Sequence, residues 1–275
     1  MNRKWIVLMA FTAMTTGCET VDTTKAGAVG VERHQRMAVS SEEVNAGAEK
    51  AYAQMMAEAQ KKGALDRDAA QVARVRTIVG RLVPATTAFR PDATKWPWEV
   101  HVISLEDVNA WAMPHGKVAI YTGLINKLQA TDDELAAVLG HEIAHALREH
   151  SREQMSQQAI TQAGIGIASA LFGVGDLGQN VAGMVADVTL FKPKSRGMET
   201  EADRIGVELA ARAGYNPQAA VALWQKMEKL AGGQPPQFLS THPSHETRIA
   251  DLQNYSAKVM PLYQAAKGGT ASAGK

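Results

Sequence analysis

An α+β fold, predominantly helical and with one small β-sheet beside a central helix, is what this sequence predicts. Three observations carry that expectation. Apolar residues recur at helical spacing in several runs, most clearly Val72, Val75, Ile78, Val79 and Leu82. Strand-like alternation is confined to residues 98–125. Thr131-Asp132-Asp133-Glu134 is a capping box, in which the Thr hydroxyl meets the Glu134 amide and the Glu carboxylate reaches back, so a long helix opens there. With 275 residues the chain can close a sizeable core. Its 29 Lys+Arg against 28 Asp+Glu leave a formal charge of +1, which argues against a nucleic-acid partner held by phosphate neutralisation. At 45% apolar and 21% charged residues it is neither disordered nor a multi-span membrane protein. Its single cysteine, Cys18, excludes an internal disulfide framework and a thiolate zinc cage.

In chain order, Asn2-Arg3-Lys4 is a short basic start, Trp5 to Ala13 an uncharged and mostly apolar run, and small residues follow up to Gly17. That is the layout of a signal peptide over 1–17. Thr15-Thr16-Gly17-Cys18 resembles a bacterial lipobox, with Thr15 where Leu is usual, and so points to lipidation of Cys18; an ordinary signal peptide with an incidental cysteine is the alternative. Glu19 after the cysteine is similar to enterobacterial lipoproteins sorted to the outer membrane. Residues 18–40 are small and polar and read as a lipidated tether.

A helix is expected over Ser41–Lys62, with acids in its first turn and Gly63 ending it. A second follows over Asp66–Val83, stopped by Pro84. Trp98–Ile103, Asn109–Met113 and Val118–Ile125 read as strands, the last two a hairpin closed by Pro114-His115-Gly116-Lys117. The helix opened by Thr131 should run to about Ser156. The Gly-rich stretch 155–186 reads either as a mobile lid or broken helix pair beside an active site, or as a plain interior helical hairpin. Ser195 caps a helix to Arg212 with Gly214 beyond its end, and Asn216-Pro217 starts another. A folded domain over 41–262 and a frayed tail over 263–275 complete the layout.

The chemistry centres on His141-Glu142-Ile143-Ala144-His145. On a helix, residues i and i+4 share a face, so both imidazoles can bind one metal ion. Glu142, turned about 100° from His141, can lie beside the metal and act as general base. With 8 His and 17 Glu in the chain, chance produces such a pentamer roughly 0.01 times per sequence. A helix with two polar stripe residues and no metal is the plainer explanation. The apolar neighbours Val138, Leu139, Ile143, Ala144 and Leu147 weigh against it, because burying two imidazoles and a carboxylate without a partner is costly. Glu199 is the best candidate for a third ligand. Asp203, four residues on and on the same face, can accept an N–H hydrogen bond from a ligating imidazole, while Glu201 points elsewhere, to solvent or a salt bridge. His150 falls on the face opposite His141 and is expected to be exposed. His242, in Thr241-His242-Pro243, could be a fourth ligand, an oxyanion donor or a turn cap. For Arg248 a salt bridge ranks ahead of an oxyanion role.

Gly140-His-Glu-Ile-Ala-His-Ala146, Glu199-Thr-Glu-Ala-Asp203-Arg-Ile-Gly206 and Thr241-His242-Pro243 with Arg248-Ile249 together resemble the HtpX and CAAX-prenyl-protease family of zinc metallopeptidases, peptidase family M48. The branch most similar is that of Oma-like bacterial lipoproteins, and the likeness runs from about Ser41 to Leu252. The resemblance implies a zincin-like (gluzincin) domain with one Zn²⁺ at His141, His145 and Glu199, catalysis by Glu142 and support from Asp203. It also implies that the strand edge at Asn109 and Ala110 holds extended substrate through main-chain hydrogen bonds. The activity implied is a zinc metalloendopeptidase at the periplasmic face of the envelope. Its partners would be misfolded envelope polypeptides, the outer membrane through a lipid, and outer-membrane assembly factors. A zinc-stabilised scaffold with little turnover, closed by His242, is the alternative.

Overall fold

The computed structural model of the chain describes residues 19–170, 181–230, 236–243 and 247–272. A three-stranded sheet is built from β3 (Glu99–Ile103), β4 (Ala110–Met113) and β5 (Lys117–Tyr121) in the order β3-β5-β4. β4 and β5 are an antiparallel hairpin, turned by His115 and Gly116 at φ 65° and 81°, whereas β3 runs parallel to β5. A separate two-stranded ribbon joins β1 (Glu19–Val21) to β2 (Gln35–Met37).

Side chains alternate across the small sheet and supply two cores. Val102, Ala110, Ala112, Val118 and Ile120 face the main one. That core also takes in α2 (Ala69–Ala85), α4 (Asp132–Leu147), α7 (Arg196–Arg212), α8 (Ala219–Leu230) and the first part of α10 (Arg248–Ser272). On the opposite face Ile103, Trp111, Met113 and Ala119 pack under α1 (Ser41–Lys61) and α6 (Val181–Leu190). The central helix α4 has the capping box expected of it: Thr131 Oγ1 accepts from Glu134 N, and Glu134 accepts from Thr131 N at 2.8 Å. From Glu134 to Leu147 every one of its residues is buried.

Two glycines set how closely the helices beside the site approach. A Cβ on Gly140 of α4 would lie 2.9 Å from the Gly206 carbonyl oxygen, and a Cβ on Gly206 of α7 would lie 2.8 Å from His141 N. Glycine is a poor helix former, costing about 0.5–1 kcal/mol against alanine in a helix interior. Here it lets two backbones touch.

Several elements depart from the sequence expectations. Residues 19–40 are not a loose tether: Val29 and Val31 enter the main core, Gln35 is fully buried, and Val29 N donates to Glu208 at 2.9 Å. The small polar composition that suggested a tether serves a ribbon folded onto the domain. The strand expected to reach Ile125 stops at Tyr121, and Thr122–Lys127 form the short helix α3. Pro84 lies inside the last turn of α2 instead of stopping it, and the helix ends one residue later at Ala85. The helix expected to reach Ser156 breaks after Leu147. Arg148 caps α4, Glu149 takes φ 51°, and α5 (His150–Ala170) sets off on a new axis. The Gly-rich stretch is helical in α5 and again in α6, and residues 171–180 between them lie outside the described residues. The tail expected to be frayed continues α10 to Ser272. Among the described residues no helix is long and apolar enough to cross a membrane. The signal peptide and Cys18 also lie outside the described residues.

Candidate metal centre

α4 presents His141 and His145 from successive turns, and their Nε2 atoms stand 3.0 Å apart. α7, crossing at Gly206, brings Glu199 to them: Oε2 lies 3.5 Å from His141 Nε2 and Oε1 3.4 Å from His145 Nε2. Ser195 sets the start of that helix by accepting from Met198 N. His242, just after α9 (Gln237–Thr241), completes a set of four residues whose ligand atoms all lie within 4.8 Å of one another. Zinc with nitrogen and oxygen donors at about 2.0–2.1 Å in a tetrahedron would space its ligands by about 3.3 Å. The distances among His141, His145 and Glu199 match that spacing.

The hydrogen bonding supports the same fit. Among the described residues neither carboxylate oxygen of Glu199 accepts a hydrogen bond, although the group is wholly buried. Arg248 Nη2 lies 3.0 Å from its Oε2. Leaving buried acceptors unmet costs about 1–3 kcal/mol or more for a charged group. A divalent cation at this point removes that cost.

Each metal-facing imidazole is held from behind by its Nδ1. His141 Nδ1 donates to Asp203 Oδ1 at 2.9 Å, and Asp203 is anchored by Arg248 Nη2 at 2.8 Å. Arg248 is fully buried, with its guanidinium 3.3 Å from the centre of the Trp224 ring. It is thus a salt-bridging residue, the role ranked first from the sequence. His145 Nδ1 meets His150 Nδ1 at 2.7 Å, and His150 Nε2 donates to Glu201 Oε2 at 3.1 Å. His150, expected to be exposed, is fully buried, because the break at Glu149 turns it back toward the site. Glu201 is salt-bridged but not solvated: Arg148 Nε donates to it at 2.9 Å, and Arg33 from the N-terminal ribbon also binds it.

Glu142 is 3% exposed, and its Oε1 lies 3.4 Å from His242 Nε2. Burial raises its carboxyl to about 7, against the lowering effects of His141 and of the Ala112 amide of β4 that hydrogen-bonds it. His141 is raised: burial pulls it down, but the Asp203 hydrogen bond and the Glu199 charge outweigh that. Burial, then the neighbouring His141 and His150, hold His145 well below the usual imidazole range. Burial does the same to His242. Glu199 is lowered, its burial being outweighed by His242, His141 and Arg248. Lys194, a buried residue that the sequence reading passed over, is pushed down to about 8 by burial, while Glu142 and Glu199 oppose the shift. Its ammonium donates to Val188 O at 2.6 Å at the end of α6, and its amide donates to Thr241 O.

His242 Nδ1 sits 3.2 Å from the Phe238 carbonyl and 3.0 Å from Thr241 Oγ1, with the ring stacked on Phe238. A carbonyl can only accept, so the Phe238 contact favours a proton on Nδ1 and a bare Nε2 toward Glu142, while the Thr241 hydroxyl can serve Nδ1 in either role. Asn109 and Ala110 are both buried: Asn109 Oδ1 accepts from Ala110 N at 2.9 Å, and Phe238 N of α9 donates to Val108 O beside them. A substrate strand pairing with Val108 O would have to displace the Phe238 amide.

The family model described as Peptidase family M48 matches residues 69–256, a stretch that contains His141, Glu142, His145, Glu199 and His242. Among curated relatives, Metalloendopeptidase OMA1, mitochondrial, of Bos taurus is 34% identical over 209 residues, 72% of this chain and 39% of its own length. Metalloprotease LoiP of Escherichia coli is 26% identical over 254 residues, 92% of this chain and 96% of that protein. The Beta-barrel assembly-enhancing protease of Yersinia pestis is 29% identical over 199 residues, 68% of this chain and 39% of that protein. The chain therefore spans less than half the length of the OMA1-type relatives and nearly the full length of LoiP.

Proposed function

This chain belongs to peptidase family M48, in its Oma-like branch, and on that footing we propose that it is a zinc-dependent endopeptidase of the bacterial envelope that cuts misfolded or loosely folded polypeptides. The observation that carries the proposal is the convergence of His141, His145 and Glu199, from two helices far apart in sequence, with Glu142 beside them. When bound there, zinc supplies a Lewis acid that activates a water near neutral pH and polarises a carbonyl.

The chain's own groups do the rest. Glu142, with Oε1 accepting no hydrogen bond among the described residues, takes the proton of the attacking water and passes it to the leaving amine. Asp203 and Arg248 fix the tautomer and orientation of His141. The envelope location rests on the basic and apolar start of the sequence and on Cys18, which supports a lipid anchor on the periplasmic side.

A second reading, a largely closed zinc scaffold that assists assembly of outer-membrane proteins, is favoured by the bare Nε2 of His242 within the same cluster. One assay separates the two. Wild-type protein with zinc should cleave unfolded casein, and Glu142→Gln should bind zinc equally and cleave at least a hundredfold more slowly. Equal cleavage by both proteins, or by neither, favours the scaffold.

A further inference from the structure

We infer that His150 is a positioning residue of the metal centre: it relays the carboxylate of Glu201 to His145, in a chain Glu201–His150–His145 that ends at the metal-facing nitrogen. The inference rests on the zinc reading above and adds a residue that the HExxH pattern does not contain. The two Nδ1 atoms of His145 and His150 stand 2.7 Å apart and both rings are buried, so a single proton must lie between them. With two protons, or with none, like faces one another.

Two independent constraints say which ring owns that proton. At the inner end, His145 Nε2 faces His141 Nε2 and Glu199, and an imidazole binds metal only through a bare nitrogen. His145 must then carry its proton on Nδ1 and donate it outward. At the outer end, His150 Nε2 faces Glu201 Oε2, a carboxylate kept ionised by Arg148 and Arg33, so His150 carries its proton there. Its Nδ1 is left bare to accept. Both ends demand the same direction of donation, and no other arrangement of neutral rings satisfies every contact.

The result is a near-symmetric support for the two imidazoles. His141 leans on Asp203 directly, and Asp203 on Arg248; His145 leans on Glu201 through one extra ring, and Glu201 on Arg148 and Arg33. One helix, α7, thereby supplies the ligand Glu199 and both supporting carboxylates. The break after Leu147 also acquires a use, since an unbroken helix would carry His150 away from His145.

The test uses the full chain. Long-range ¹H–¹⁵N correlation of the histidine rings in the zinc-loaded wild type should show His145 protonated on Nδ1 and His150 on Nε2. A His150 protonated on Nδ1, or on both nitrogens, overturns the relay and needs no variant to fold. Zinc affinity measured by chelator competition should fall about 10–100-fold in His150→Phe. His150→Gln, whose amide can both accept and donate, should recover most of it. Thermal midpoints of the zinc-free proteins separate loss of fold from loss of binding. Zinc bound equally by wild type and His150→Phe overturns the relay alone, whereas a wild type that takes up no zinc overturns the endopeptidase reading beneath it.

Discussion

Glu142 and His242 face one another in the site, Oε1 to Nε2 at 3.4 Å. Glu142 is buried, and its Oε1 accepts no hydrogen bond among the described residues. An oxyanion donor would need a proton on His242 Nε2, and the Phe238 carbonyl favours that proton on Nδ1 instead. His242→Ala should therefore raise casein cleavage several-fold at saturating zinc; a fall would restore the oxyanion role, and no change would make the residue a turn cap. At this scale the sequence was legible wherever chemistry follows helical spacing. His141 and His145, and Glu199 and Asp203, are i, i+4 pairs, and their shared faces follow from 3.6 residues per turn. His150, Arg33 and Lys194 were not legible, because each reaches the site through a chain reversal and not through periodicity.

Among elements, the crossing of α4 and α7 decides whether the metal ligands meet at all. Gly206→Ala would place a Cβ 2.8 Å from His141 N, where backbone and not a flexible side-chain tip must give way. Overpacking of this kind costs about 1–3 kcal/mol. The expected outcome is a thermal midpoint lower by several degrees together with weaker zinc binding, and retention of both would show that the close crossing is dispensable. Capping boxes and turn residues announced where α4, α7 and the β4–β5 hairpin begin, since those signals are local. The end of α4 was not announced. Glu149 adopts φ 51° without being Gly or Asn, and its carboxylate is tied to Arg90 at 2.6 Å and to Arg152 at 2.8 Å, so the break is imposed by tertiary contacts. Likewise Val118–Ile125 has strand composition throughout, yet the Leu105 carbonyl accepts from Gly123 N and Thr122 Oγ1 and starts α3.

For the whole molecule, the N-terminal ribbon links the start of the folded chain to the metal centre. Arg33 binds both Glu201 and Glu153, Gln35 Nε2 donates to Glu153 at 2.6 Å, and β1 begins directly after Cys18. Arg33→Ala should weaken zinc binding less than His150→Phe does and should increase protease nicking within residues 19–40; unchanged affinity and nicking would detach the ribbon from the site. Glu153 gives this link a pH dependence. Burial raises its carboxyl, but Arg33 and Gln35 lower it further, so its folded pKa lies below the ordinary 4.5. Its stabilisation is present above 4.5 and is lost as the pH falls through the folded value, so urea midpoints of wild type and Arg33→Ala should converge in acid. If Cys18 is acylated, no slack tether separates the domain from the lipid surface. Cys18→Ala should then release the protein from membranes, and unchanged fractionation would count against the anchor. The account as a whole stands on one cation at one place. An anomalous difference map at the zinc edge, from crystals grown with zinc, should show a single strong peak about 2.0–2.2 Å from His141 Nε2, His145 Nε2 and a Glu199 oxygen. A map with no peak between those three side chains would contradict it.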